Sequence, residues 1–374
     1  MKKLFFISRP AASFRRTVAV LLTGAALLLA ACEHTVDPDS PNSSVPGQDQ
    51  DQDPGQDHKP EQKPGDEGKP STGSVTWFVS EPENPDEVPS GEPAGKAETL
   101  NEGLRQIRAA HKEGAFAENK RALLVIDGVI TPDGEGSISN KSLVSITGAG
   151  EYPPLVIRGG EAGGMLDGQN QVRVLYVESN KVTIAEGLTL TRGNTATMNE
   201  MYGGAVYLEK ANLTMTGGTI SDSTAEYGSA VAVIEDGEGK HSAFKMTGGT
   251  IKGGSGSAVF IDSACLFILA GSGLITENGL DGSTKEGGGV QIAEHGIFTM
   301  AGGTIKGNRA AISGGGVQVD TNGGFFMKNG TITENTAPDN GGSAVHTARN
   351  NAIFVLEGGS IKNNHGFPEI ARND

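Results

Sequence analysis

One phrase recurs six times between Gly203 and Gly366, and it limits the fold more tightly than any other feature of the chain. It reads TMTGGTI ending at Ile220, KMTGGTI at Ile251, LAGSGLI at Ile275, TMAGGTI at Ile305, MKNGTI at Ile332 and LEGGSI at Ile361. Successive isoleucines lie 31, 24, 30, 27 and 29 residues apart, so the period is about 28 with loops of variable length. One segment of this size cannot bury its own apolar face, whereas stacked copies share a continuous core; the pattern marks a solenoid.

Aligned on their isoleucines, the repeats show three inward columns. The first holds Leu213, Phe244, Phe267, Phe298, Phe325 and Phe354. Two residues on come Met215, Met246, Leu269, Met300, Met327 and Leu356, and the third column is the isoleucines themselves. Positions two apart share one side of a strand, and coils stacked at about 4.8 Å turn each column into a ladder of rings or thioethers. The Gly-Gly pairs between the columns, such as Gly217-Gly218 and Gly248-Gly249, mark a corner that needs φ > 0. Cys265 falls on an inward position and reads as a buried small apolar residue.

Composition agrees with a turn-rich β protein: 56 of 374 residues are glycine and only 20% are charged. The net charge of −15 argues against nucleic acid as a partner, since phosphate recognition needs basic patches. Two cysteines, Cys32 and Cys265, make no disulfide framework.

Residues 1–31 carry five basic and no acidic side chains, then an apolar run from Val18 to Ala31. This is the layout of a secretory signal, and about 14 apolar residues are short for a membrane span. The run ends Leu29-Ala30-Ala31-Cys32, which resembles the lipobox of bacterial lipoproteins. The resemblance implies lipidation of Cys32, cleavage before it, and a mature chain of charge −20 held in a membrane by its acyl chains. Glu33 after the cysteine implies the outer membrane in the familiar sorting pattern. Residues 32–74 are rich in Asp, Gln, Pro, Gly and Lys and read as a disordered tether. Its reach is roughly 35–40 Å.

Residues 75–121 read as a cap. Val75-Thr76-Trp77-Phe78-Val79 alternates as a strand, and Thr99-Leu100-Asn101-Glu102 is a capping-box signature. The helix after it is amphipathic, with Leu100, Leu104 and Ile107 on one face. A strand and a short helix ahead of a run of coils resemble the N-terminal cap of pectin-lyase-like proteins. That resemblance implies a right-handed single-stranded parallel β-helix, all-β, over residues 122–374, with roughly nine coils.

Four repeats carry an asparagine three residues after the isoleucine, at Asn278, Asn308, Asn335 and Asn364. Asn tolerates the left-handed region and its amide can bond the next coil, so an asparagine ladder is expected at this turn. The following strand opens on small residues, as in Gly203-Gly204-Ala205-Val206 and Gly314-Gly315-Gly316-Val317. These two elements resemble the GGA[ILV] and FxxN repeats of chlamydial polymorphic outer-membrane proteins, with Ile in place of Phe. The likeness covers residues 165–366 and implies a surface-displayed adhesin. After Ile361 only Phe367-Pro368-Glu369-Ile370 remains as a candidate C-terminal cap.

Because the repeating residues serve the interior, function must lie in what does not repeat. One outward column of the strand before each core phrase holds Tyr176, Tyr207, Ala232, Phe260, Gln291, Gln318 and His346. Beside it lie Glu178, Glu209, Ile234, Asp262, Ala293, Asp320 and Ala348. The candidate ligand-binding face is therefore Tyr176, Glu178, Tyr207, Glu209, Phe260, Asp262 and Asp320. Aromatic rings beside carboxylates suit a glycan or a host protein, and a sugar-cleaving pair of acids is the enzymatic alternative. A lyase would further need a base opposite a cation-holding acid cluster, and Arg349 alone stands outward, several coils away. No catalytic set, metal site or cofactor is signalled, and the scattered histidines make neither a zinc site nor a triad.

Overall fold

The architecture is that of a computed structural model, which describes residues 73–80, 88–90, 92–116, 120–135, 140–348 and 351–372. The expected lipobox cysteine, the signal, the tether up to residue 72 and Arg349 lie outside the described residues. Nine short parallel strands stack in one sheet: Ser142–Ile146, Arg173–Glu178, Val206–Glu209, Val231–Ile234, Val259–Ile261, Val290–Ile292, Val317–Val319, Val345–Thr347 and Ile370–Arg372. They are numbered here as rungs 1 to 9. Every rung pairs in parallel with the next, so the chain completes eight full turns between the first and the last. At about 4.8 Å per turn the stack is about 38 Å long. The fold is a parallel β-helix.

The opposite wall is a 16-stranded sheet. A typical coil gives it two strands, Asn212–Met215 and Thr219–Ser221 for example, separated by the glycine corner. The register confirms all three inward columns. Leu213 pairs with Phe244, Phe244 with Phe267, Met215 with Met246, and Ile220 with Ile251. The phenylalanine rings stack with centroids 4.8, 4.9, 4.7 and 5.0 Å apart from Phe244 to Phe354. These columns and the inward residues of the rungs form one core that also takes in Cys265. Leu356, expected inward, is 50% exposed because no further coil covers it.

At the glycine corner the second residue takes the left-handed conformation, as at Gly249 with φ 81°. A Cβ there would lie 2.6 Å from the Met215 methyl and from the Gly217 carbonyl oxygen, so the corner is closed to side chains. The asparagine turn differs from expectation in one respect. The left-handed residues are the ones before the asparagines, Glu277, Gly307, Glu334 and Asn363. That turn sends the asparagine side chain into the body, and Asn278, Asn308 and Asn335 are fully buried. Asn278 Nδ2 donates to Asn308 Oδ1 (2.8 Å), Asn308 Nδ2 to Asn335 Oδ1 (3.0 Å), and Asn335 Nδ2 to Asn364 Oδ1 (3.0 Å).

Local devices close the N-terminal end and terminate the asparagine ladder at the other. Ser74–Ser80 runs antiparallel to Arg121–Ile130, the first parallel strand of the long sheet, and so occupies the edge that a preceding coil would use. The helix Leu100–Lys112 buries Leu100, Leu104 and Ile107 in the main core, and Thr99 Oγ1 accepts the Glu102 N–H at 3.1 Å. At the other end Glu369 Oε1 accepts from the Asn364 backbone N–H (2.8 Å) and Nδ2 (3.2 Å). A carboxylate thus stands where a further asparagine would. Phe367 does not fold over the last coil, being 78% exposed.

Candidate functional site

Pairing of the rungs places Ser145, Tyr176, Tyr207, Ala232, Phe260, Gln291, Gln318, His346 and Ala371 in one outward file. Glu178 pairs with Glu209 in the file beside it, and Glu209 with Ile234. Asp262 and Asp320 follow directly after rungs 5 and 7. The two outward files therefore stand where the alternation puts them.

Exposure along the file is uneven. Tyr176, Glu178, Tyr207, Glu209, Asp262 and Asp320 are half-buried, whereas Phe260, Gln291, Gln318 and His346 are buried. A second set of glycines borders this file. Gly203, Gly228, Gly256, Gly287, Gly314 and Gly342, each three residues before a rung, all have φ between 62° and 103°. A Cβ on Gly203 would lie 3.0 Å from the Tyr207 Cβ, and one on Gly314 would lie 2.8 Å from the Gln318 Cα. The chain thus folds tightly against the outward file, and the residue before the glycine differs from coil to coil. In two coils that residue is a tyrosine.

Tyr202 and Tyr227 form a parallel bridge and stack with centroids 5.3 Å apart. Both rings tilt against Phe260, at 5.4 and 5.2 Å. Phe260 is therefore the floor of the patch rather than its surface. Tyr176 and Tyr207 stack at 5.5 Å on the neighbouring rungs, and Tyr207 also packs against the Ala232–Phe260 cluster. Four tyrosines from two loops and two rungs meet on rungs 2 to 5.

Arg173 holds this assembly together from beneath. Its guanidinium donates through Nε to the Gly203 carbonyl (2.9 Å) and through Nη2 to Glu200 Oε2 (2.8 Å) and the Tyr202 carbonyl (3.0 Å). It also lies over the Tyr207 ring, 4.8 Å from the centroid. Lys141 donates to the other Glu200 oxygen at 3.2 Å. Burial acts against the Glu200 charge, but Arg173 and Lys141 together hold its carboxyl below the usual range.

The field around the rings is negative. Burial and then the Glu209 carboxylate push the Tyr207 hydroxyl up to about 12. Burial also raises Tyr176, followed by the hydrogen bond its hydroxyl donates to Glu209 Oε2 at 2.8 Å. Tyr202 and Tyr227 are raised by burial first, then by Asp262 and Glu226 at the former and by Glu226 at the latter. Glu178, Glu209 and Asp262 have no Lys or Arg within salt-bridge distance among the described residues.

Rungs 6 to 8 carry a different arrangement. Gln318 Oε1 accepts from Ser313 Oγ (2.9 Å) and lies 2.9 Å from His346 Nδ1, while Gln318 Nε2 donates to Asp320 Oδ1 (2.9 Å). Asp320 is thereby tied into a buried polar network and stands apart from the tyrosines. Burial raises the Asp320 carboxyl, its hydrogen bonds with Gln318 and Gln291 only partly offsetting this; Glu286, before rung 6, is raised by burial and then by Asp320. Burial also lowers His346, so the neutral imidazole is favoured.

A carboxyl raised in the folded state binds its proton more tightly than in the unfolded chain. Its ionisation therefore weakens the fold as pH rises through the folded value. Asp320→Asn, which keeps an acceptor for Gln318, is expected to melt above the parent protein at about pH 8 and to lose that advantage at about pH 4. Thermal unfolding of both proteins across this range measures it, and a constant difference would refute the burial argument.

On the long sheet, the glycine corners floor a shallow trough of ≈ 400 Å³ lined by Glu186, Thr189, Thr216, Thr219 and their neighbours. It holds one titratable side chain, Glu186. Among the described residues no group of three or more His, Cys, Asp or Glu side chains converges to hold a metal ion. No known family model, curated protein or solved structure matches this chain.

Proposed function

We propose that this protein is a lipid-anchored, surface-displayed interaction module, with rungs 2 to 5 of the β-helix as its binding face. One observation carries the reading. Four tyrosines outside the repeating core gather on a single outer face, beside Glu178, Glu209 and Asp262, which have no salt-bridge partner among the described residues. Half-buried rings with polar edges and fixed orientation are what recognition surfaces use for contact area and specificity. The anchor rests on Leu29-Ala30-Ala31-Cys32, and the polar stretch after it supplies a tether. The ligand on this reading is a host protein or a glycan.

Two measurements test the proposal. Cys32→Ser should move the protein from the membrane pellet to the soluble fraction, and unchanged partitioning would remove the anchor. Protease added to whole cells should degrade the β-helix if it faces outward, whereas protection until lysis would remove surface display.

A carbohydrate-active role is the second reading, favoured by the tyrosine–carboxylate pairing on rungs 2 and 3. A reducing-end assay on a polysaccharide panel separates the two. Turnover that disappears in Glu209→Gln would overturn the binding-only reading.

A further inference from the structure

We infer that the tyrosine face takes a cationic polypeptide segment, one that offers arginine or lysine side chains. The inference rests on the reading of rungs 2 to 5 as a binding face and names the chemistry of its ligand. Three features of the patch point the same way.

The first is the seat already occupied within the chain. Arg173 lies over the Tyr207 ring and donates to Glu200 and two carbonyls. A guanidinium between a tyrosine ring and a carboxylate is thus an arrangement this face makes once for itself. The second is that tyrosine and carboxylate recur together on the outer side, where three of the four carboxylates have no cationic partner among the described residues. Tyr176 has Glu178 and Glu209 around it, and Tyr202 has Asp262 and Glu226. Glu226 lies 3.7 Å from Lys285, an exposed pair, whereas Glu178, Glu209 and Asp262 have no such partner among the described residues. The third is the long-range field. The chain carries −15 overall, so a basic segment is drawn in, and a polyuronate or sulfated glycan is repelled.

The chemistry needs no covalent step. Ammonium or guanidinium groups would lie over the exposed faces of Tyr176, Tyr202 and Tyr227, with the carboxylates accepting their N–H groups. Such contacts gain from the partial burial of the rings, which weakens screening by salt and water.

The test uses the mature full-length protein and three probes: an oligoarginine peptide, an oligoglutamate peptide and a neutral glucan hexaose. Binding is followed by calorimetry and by tyrosine fluorescence. Oligoarginine should bind, and the triple variant Glu178→Gln/Glu209→Gln/Asp262→Asn should weaken it at least about ten-fold. A control with equal charge loss, Glu186→Gln/Glu277→Gln/Glu357→Gln, removes exposed carboxylates from the turns bordering the long sheet and should change it less than about two-fold.

The ring contribution is read from Tyr176→Leu, expected to weaken binding about five-fold, against Tyr176→Phe, which keeps the π face, loses the hydroxyl's bond to Glu209 and should weaken binding less than Tyr176→Leu does. Circular dichroism and melting of each variant confirm that the fold is intact. Equal weakening by both triple variants would overturn the inference by reducing it to general acidity, and so would absence of oligoarginine binding. If the glucan instead binds and the tyrosine variants abolish that binding, the face is a ligand site and only its cationic specificity fails. If neither probe responds to any substitution in the patch, the binding-face reading fails with it.

Discussion

Asn308→Ala lowers the stability of the β-helix by about 3–5 kcal/mol, although it removes only a carboxamide. Asn308 is fully buried. Its Oδ1 accepts from the Asn278 backbone N–H at 3.1 Å and from Asn278 Nδ2 at 2.8 Å. Its Nδ2 donates to Asn335 Oδ1 and to the Ile275 carbonyl, both at 3.0 Å. Alanine leaves the Asn278 N–H and the Ile275 carbonyl buried without these partners, and a stranded buried polar group costs about 1–3 kcal/mol. The ladder also loses its continuity, because each amide is both donor and acceptor. Asn364→Ala is the internal comparison. That residue is half-exposed at the end of the ladder, where water can replace the lost bonds, and the expected cost is about 1 kcal/mol. Denaturant unfolding of the two variants at matched slope measures the difference. Equal losses would show that burial does not set the strength of the ladder.

Phe298→Ala is expected to cost about 3–5 kcal/mol through a cavity that stacked coils cannot close. Its ring is fully buried and stacked on both sides, 4.9 Å from Phe267 and 4.7 Å from Phe325. The main-chain ladders on either side hold the coils at a spacing near 4.8 Å, so neighbouring rings cannot move together to fill the gap. Phe354 has one stacked neighbour and is 9% exposed, so Phe354→Ala should cost roughly half as much. Midpoints of chemical unfolding for the pair give the comparison. A smaller loss at Phe298 than at Phe354 would refute the rigid-spacing argument.

The interior was legible because repetition turns each inward position into a column. Phe244, Phe267 and Phe298 identify one another, and the same holds for Ile251, Ile275 and Ile305. The asparagine ladder was legible for the same reason. Its backbone was not, since the left-handed turn falls on the residues before the asparagines, and Glu277 and Glu334 carry no local signature for it. The outward file was placed correctly by alternation alone. Alternation did not reveal that Phe260 would be covered, because the covering rings come from loops.

Tyr202 and Tyr227 had one signal, their position directly before the glycine that opens each rung. It is easily passed over, since other coils have Ser255, Glu286 or Ser313 at that position. Arg173 reads in sequence as an ordinary strand residue. Its role depends on Glu200, Gly203 and Tyr202, some 30 residues later, which one turn of the helix brings beside it. Asp320 illustrates the converse. It aligns with Glu178 and Glu209 in the repeat, yet Gln291 and Gln318 below and beside it make it part of a closed network rather than an open face.

By itself, then, the sequence determined what every coil has in common: the inward columns, the glycine corners, the asparagine ladder and the sense of each strand's two faces. These follow from periodicity, because a residue that recurs in register must meet its own copy one coil away. Only the tertiary structure decided which outward residues reach solvent and which charges are answered. Those depend on loops of unequal length folding over the rungs at left-handed glycines, where contacts join residues with no fixed spacing along the chain.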